Sequence, residues 1–449
     1  MATARRSWVL RILLGLLALI VVALVAGYWY ARPLLLTGTG YAAHNACALH
    51  DLSARSDATT DLPPNPLVPY LRTSTDDDGV VTASVLGLLA KQRATPIPGY
   101  GCTLGDPADL PTRDPVDPAP NPIVDQPVAA DEAVQAAIAR AFGDDLGPDE
   151  ASALGTRAVV VLSGGHVVGE RYADGFDSET RQLGWSMSKS VANLLTGRLV
   201  QQGVVALDDT GLRTEWTDER ARISIEDLLR MRSGLEWDET YDLGTPITEM
   251  LYLRSDMAGF AAAQPLGHGI GEFQQYSSGS TNILCSVLLE RAGGDAGLVD
   301  DLLFAPLGLS SAVWETDGTG TPVCSSYLWA TPRDWAALGQ FALADGVWEG
   351  ERLLPEDWMT QSTTNVGAAE SDADAYGMSW WLNQRADGTL RYPTLPSDAY
   401  WMSGHDGQRV YVVPSADLVV VRMGFSPGVE AEDLRSNELV ADVVAALAR

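Results

Sequence analysis

Residues 12–30 read ILLGLLALIVVALVAGYWY, nineteen consecutive positions without a charge. At about 1.5 Å of rise per residue, a helix of that length reaches across the roughly 30 Å hydrocarbon core of a bilayer. Arg5, Arg6 and Arg11 stand before the run and Arg32 alone follows closely, a bias that keeps the N-terminus cytoplasmic and sends the rest outward. Tyr28, Trp29 and Tyr30 fall at the outer interface, where amphipathic rings are enriched. The competing reading is a cleaved signal peptide, whose apolar core usually spans about 7–15 residues before a small-x-small exit that is poorly formed here. We therefore expect residues 1–35 to be a cytoplasmic tip and a retained transmembrane anchor, with the remaining chain extracytoplasmic.

An oxidising space permits disulfides. Of the four cysteines, Cys47 and Cys102 share the segment after the anchor and are expected to pair. Cys285, in NILCSVLL, and Cys324, in TPVCSSYL, are expected to stay free and buried as small hydrophobes. The formal net charge of −29 argues against a nucleic-acid partner, which requires clustered Lys and Arg to neutralise phosphates. From Leu104 to Pro127 seven prolines are interleaved with aspartates, a composition that favours extended backbone and cannot assemble a packed core. The expected organisation is therefore a small extracytoplasmic segment at 36–103 carrying the disulfide, a Pro/Asp-rich linker at 104–128, and one large domain at 129–449.

Within that large domain an amphipathic helix is expected near DEAVQAAIARAF, followed by two strands, RAVVVLSGG and HVVGERYADGF, joined through glycines. The middle is mostly helical. Ser224 and Asp227 open one helix with capping-box spacing and Gly234 closes it; Thr331, Pro332 and Asp334 open another that runs to Gly346. Two β-rich runs surround the turn in RVYVVPSADLVVVRMG, and a helix is expected from about Glu430 to Arg449. Strands first, helices in the middle, and strands with a helix last predict an α+β fold: an antiparallel sheet built from both chain ends with a helical insertion.

The chain holds only two lysines, Lys91 and Lys189, beside its arginines. Lys189 stands three residues after Ser186 in WSMSKSVANLL, where the spacing of Met187, Val191, Leu194 and Leu195 predicts a helix starting at or just before Ser186. The two side chains then share one face. Burial disfavours the ammonium form and lowers the lysine pKa until the amine can take a hydroxyl proton. Arginine cannot do this, because its guanidinium stays protonated. An ordinary N-cap serine beside a surface lysine gives the same spacing, so other residues must decide. There is no G-x-S-x-G elbow, no H-E-x-x-H and no phosphate-binding loop, and the five histidines are scattered, so neither metal nor cofactor is expected.

With Tyr276-Ser277-Ser278 before a helical run and His405-Asp406-Gly407 entering a β-rich run, the chain resembles the serine β-lactamase and penicillin-binding-protein superfamily. The likeness is greatest to its class C-like hydrolases, the esterases and 6-aminohexanoate-oligomer hydrolases. The motifs S-x-x-K, Y-x-N or Y-x-S, and K-T-G or H-x-G occur here in that family's order, and the resemblance covers about residues 130–449. It implies that Ser186 is acylated, that Lys189 helps accept its proton, and that Tyr276 shuttles the proton to the leaving group. It further implies an oxyanion held by the backbone N–H groups of Ser186 and Gln408, with Gly407 permitting close approach of substrate and Ser278 and His405 as polar contacts. Ser278 replaces the asparagine, and His405 the lysine, of the penicillin-type motifs, which favours a small-molecule ester or small amide over β-lactams. β-Lactamase or D,D-carboxypeptidase activity, and a binding or sensing module without turnover, are the alternatives. No carboxylate dedicated to deacylation stands out, His268 reads as a loop residue, and Trp185, Trp380, Trp381 and Trp401 read as core or pocket lining.

Overall fold

The computed structural model describes residues 2–56, 61–105, 107, 110 and 118–448. Residues 106, 108–109 and 111–117 of the Pro/Asp-rich stretch, the side chains of Arg5 and Arg6, and Arg449 lie outside the described residues.

The apolar run does not end in a loop. It continues as one helix, α1 (Ala2–Ser53), whose large apolar side chains are exposed from Trp8 to Leu34 but whose residues from Thr37 to Leu49 are largely buried. Strands β1 (Leu71–Thr75), β2 (Val81–Val85), β3 (Leu89–Ile97) and β4 (Gly101–Leu104) form an antiparallel sheet in that order. Val81, Ala83 and Ala94 of this sheet pack against Ala42, Ala43 and Leu49 of α1, as alternate residues of a strand pointing to one face should. The expected Cys47–Cys102 bridge joins helix to sheet. The segment 36–103 thus packs the end of a helix against a four-stranded sheet, where sequence offered a polar loop with one apolar stretch.

The large domain follows the expected order. Helix α2 (Glu132–Ala141), capped by Asp131, leads to β5 (Thr156–Ser163) and β6 (His166–Tyr172). The helical middle contains α3 (Met187–Gln201), α4 (Ser278–Ala292) and α5 (Pro332–Leu343). The chain then returns through β7 (Trp381–Leu382), β8 (Tyr400–Gly404), β9 (Gln408–Val413) and β10 (Leu418–Gly424) to α6 (Ser436–Leu447). The six strands pair antiparallel in the order β7-β8-β9-β10-β5-β6. Both faces are covered: Val160, Leu162, Val419 and Val421 face the helical middle with Trp335 of α5, while Val159, Val161, Leu418 and Val420 face α2 and α6. That is why these strands read as near-continuous apolar runs rather than alternating ones.

Three local expectations change. The C-terminal helix begins at Ser436, not near 430, after a 3₁₀ turn at Ala431–Leu434. The helix capped by Ser224 and Asp227 stops at Leu229, five residues short of Gly234. The linker is also shorter than its composition implies: Asn121 donates to Asp334 Oδ1 at 3.1 Å and Ile123 is buried in the main core, so the chain is docked well before residue 129.

A half-buried ion cluster holds the N-terminal segment to the sheet. Arg55 and Arg157 each bracket Asp61 with two hydrogen bonds. Burial pushes the Asp61 carboxyl up, yet the two guanidinium groups outweigh it and hold the group at about 2. A depressed carboxylate contributes stability that is complete above its unfolded pKa and is lost as pH falls through the folded value; a displacement of this size is worth roughly 2 kcal/mol. Asp61→Asn should therefore lower the melting temperature by a few degrees at pH 7, and the gap from the parent should close as pH falls from about 4 to about 2. A gap that persists undiminished at the acid end would assign the loss to packing instead.

Candidate functional site

Ser186 stands at the N-cap of α3, and the residue before it, Trp185, has a left-handed backbone with φ of +50°. Such a conformation costs energy in a bulky residue and persists only where packing over-determines it. Here Trp185 is buried and meets the rings of Tyr41, Tyr241, Tyr327 and His405 edge-on. The result is a fixed chain entry that presents Ser186 at the start of a buried helix.

Lys189 is 1% exposed. Its Nζ lies 2.9 Å from Ser186 Oγ, 2.8 Å from Ser278 Oγ and 3.0 Å from the carbonyl oxygen of Ser325. Three acceptors match the three hydrogens of an ammonium. When the proton leaves, Ser278 and Ser325 can retain the two remaining hydrogens and the lone pair points at the Ser186 hydroxyl. Burial lowers the Lys189 pKa to about 8, against a smaller upward pull from Glu239. Sequence reasoning missed Glu239, which lies in no recognisable motif. Glu239 Oε1 accepts from Ser278 Oγ at 2.5 Å, and Oε2 accepts from the Ser278 N–H at 2.9 Å and from Trp237 Nε1 at 2.6 Å. With its own hydrogen committed to Glu239, the Ser278 hydroxyl must offer a lone pair to Lys189. Glu239 is thus a positioning residue, 3.9 Å from Nζ.

Tyr276 brings its ring to Lys189, with Nζ 4.9 Å from the ring centroid. It packs against Tyr376 and Trp381, and its backbone N–H donates to Asp372 Oδ1 at 2.9 Å. Burial, reinforced by Glu239, pushes the phenol well above its ordinary value, and a hydrogen bond with Ser186 only partly offsets this. Tyr276 is therefore a neutral phenol, able to donate, rather than a phenolate.

The third stretch lies at the β8–β9 connection. Gly407 has φ of +91°, and a Cβ there would meet Arg422 Nη1, so glycine is required by both backbone and space. Buried Arg422 donates to the Gly407 carbonyl at 2.6 Å. Gly404 runs so close to the Gly184 carbonyl that no side chain fits between them, which brings this connection against the turn before Ser186. The Gln408 side chain is held on Gly424, accepting from its N–H at 2.9 Å and donating to its carbonyl at 2.5 Å. His405 stacks on Tyr241 at 4.2 Å and lines a largely apolar cavity of about 60 Å³ together with Tyr41, Tyr252, Leu67 and Leu71. His268, as expected, is in a loop, stacked on Phe273.

The cysteine expectation is corrected. Cys285 and Cys324 form a disulfide, tying α4, which begins at Ser278, to the segment whose Ser325 carbonyl binds Lys189. The apolar surroundings of the two residues conceal a pairing set by long-range packing.

The β-lactamase family profile matches residues 138–445. The 6-aminohexanoate-dimer hydrolase of Paenarthrobacter ureafaciens is 27% identical over 303 residues, which is 61% of this chain and 73% of that one. Among solved structures, a penicillin-binding protein homologue from Caulobacter crescentus superposes with a TM-score of 0.54 at 16% identity, covering 72% of this chain and 99% of its own. A β-lactamase/D-alanine carboxypeptidase from Yersinia pestis gives 0.53 at 16% identity over 70% and 99%.

Because only the neutral amine can accept a proton, turnover of an activated ester should rise with pH through a midpoint near 8. Glu239→Gln cannot accept all three hydrogen bonds, so the plateau rate should fall between roughly 10- and 100-fold. Loss of the carboxylate also removes the influence that raises the Lys189 pKa, and the rising limb should move to lower pH. A pH–rate profile of kcat/KM checks both effects; a lowered plateau with an unmoved limb would mean that Glu239 is merely structural.

Proposed function

Since the chain belongs to the β-lactamase family and is a serine hydrolase, we propose that it is a membrane-anchored, extracytoplasmic hydrolase that cleaves a small ester or amide through an acyl-enzyme on Ser186. One observation carries the reading: a dry lysine amine within hydrogen-bond reach of the serine hydroxyl. Ser186 Oγ attacks the substrate carbonyl as its proton passes to neutral Lys189 Nζ. The backbone N–H groups of Ser186 and Gln408 receive the oxyanion. On collapse the leaving group departs with a proton from the Tyr276 phenol, which is replenished from the Lys189 ammonium. Water then attacks the acyl-enzyme by the reverse relay and frees Ser186.

His405 stands where the penicillin-type motif has a lysine and lines a largely apolar cavity, a poor setting for the carboxylate of a penicillin. This supports an uncharged, partly apolar acyl or leaving group. The anchor reading is supported by the exposed apolar part of α1, and the extracytoplasmic side by two disulfides, which persist in oxidising compartments.

A fluorophosphonate probe should label the parent protein and not Ser186→Ala. Lys189→Arg should be as inactive toward p-nitrophenyl esters as Lys189→Ala, each down by roughly 10²-fold or more, because a retained charge is useless to a proton acceptor. An active arginine variant would overturn the lysine's role. A label that forms but never clears would favour the sensing alternative, and hydrolysis of a chromogenic cephalosporin or a D-Ala-D-Ala peptide would favour the β-lactamase or carboxypeptidase alternative.

A further inference from the structure

The turn between β2 and β3 reads Val85-Leu86-Gly87-Leu88-Leu89. Leu86 and Gly87 both have positive φ, +54° and +79°, and the Leu88 N–H donates back to the Val85 carbonyl at 3.1 Å. Tight hairpin turns of this kind favour Asn-Gly, because a branched side chain is strained in the left-handed region. Leucine here is unfavourable twice over, since Leu86 and Leu88 are also 59% and 78% exposed. Leu89 and Tyr70 are exposed beside them, and Tyr70 is joined to the turn by its carbonyl, which accepts from the Leu86 N–H.

The position of this tip is fixed. Ala90, the next residue, donates its N–H to Tyr28 Oη at 3.2 Å and accepts from Thr39 Oγ1 through its carbonyl at 2.7 Å, which sets the leucines beside the stretch of α1 that leads from its terminal aromatic residues to its buried half. Charge is sorted along the same sheet. Arg72 and Lys91 are exposed toward this end, with Arg32 stacked over Trp29 at 5.3 Å, whereas Asp76, Asp77 and Asp78 occupy the β1–β2 turn at the opposite end. In a chain of net charge −29 a basic collar around an apolar tip is a local reversal, and it matches an apolar layer beneath anionic headgroups.

We propose that the Leu86–Leu89 tip is a second membrane contact, entering the outer leaflet beside α1 and fixing how the hydrolase body stands on the bilayer. This rests on the anchor reading of α1. One contact alone leaves the body free to swivel about the helix axis; a second beside it removes that freedom.

The test uses the full chain, whose native cysteines are all paired, in phosphatidylcholine–phosphatidylglycerol vesicles containing a lipid-borne shallow quencher. A fluorophore is placed in turn on Leu88→Cys, Asp77→Cys and Leu24→Cys. Quenching at 88 should exceed that at 77 at least threefold and approach that at 24, and removing the anionic lipid should reduce it. Quenching at 24 with none at 88 overturns the hairpin contact while sparing the anchor. No quenching at either removes the anchor reading and the hairpin contact with it. A label at 88 that is protected in quencher-free detergent micelles, with a doubled mass, assigns the leucines to a second copy and overturns the proposal.

Discussion

The site depends on keeping an amine dry without leaving it unsatisfied. An ammonium in an apolar interior without partners is prohibitively costly, whereas one paired tightly with a carboxylate keeps its proton. Lys189 sits between these limits. Three neutral oxygens satisfy it, and the nearest carboxylate, Glu239, is held off at 3.9 Å with Ser278 in between. A direct Lys189–Glu239 pair would raise the pKa and abolish the base; removing Glu239 would free the Ser278 hydroxyl to point the wrong way. The intermediate serine lets the carboxylate orient the network while contributing little charge. Replacement of an amide by Ser278 in the second motif is, in this light, a change of wiring rather than a loss.

That network extends into parts of the chain far from the motifs. The Ser325 carbonyl is positioned by its own N–H, which donates to Asn282 Oδ1 at 3.0 Å, and by the neighbouring Cys285–Cys324 bridge. The far wall is supplied by the end of α1. His44 Nε2 lies 3.0 Å from Glu315 Oε2, and the same carboxylate accepts from Trp329 Nε1 at 2.7 Å and from the Cys102 N–H at 2.8 Å. Glu315 is fully buried, so helix, small sheet and hydrolase body meet at one carboxylate that none of them could satisfy alone. Tyr41, stacked on Tyr252 at 4.9 Å, carries this wall to the cavity beside His405. The N-terminal segment is therefore part of the catalytic body rather than a spacer.

What was legible in the sequence was whatever local periodicity or short spacing encodes. The helix presenting Ser186, the strands with their runs of valine, and the caps at Ser224 and Thr331 all follow from residues a few positions apart. The order of the three motifs fixed the fold and brought Ser186, Lys189, Ser278 and Tyr276 into one cluster. Glu239, Glu315 and the Cys285–Cys324 pairing were not legible, because Glu239 meets Ser278, Glu315 meets His44 and Cys102, and Cys285 meets Cys324 only once the chain has folded. The four strands between Leu71 and Leu104 were missed for another reason: two positive-φ leucine and glycine residues replaced the usual turn chemistry, so a hairpin read as one apolar stretch.

The same feature that hid the hairpin gives it meaning. A continuous helix entering the core without a break leaves little slack between the apolar segment and the site: from Tyr30 to Tyr41 is eleven residues, or about 16 Å of rise. With α1 anchored in a bilayer as proposed, tilting of the body would bury or expose the wall formed by Tyr41. Rigidity is then obtained where it can be, in the fusion of α1 with the small sheet, in the bridge from Cys47 to Cys102 and in the Asp61 ion cluster. The wall beside His405 and the proposed footing on the bilayer thus share one element, the buried half of α1.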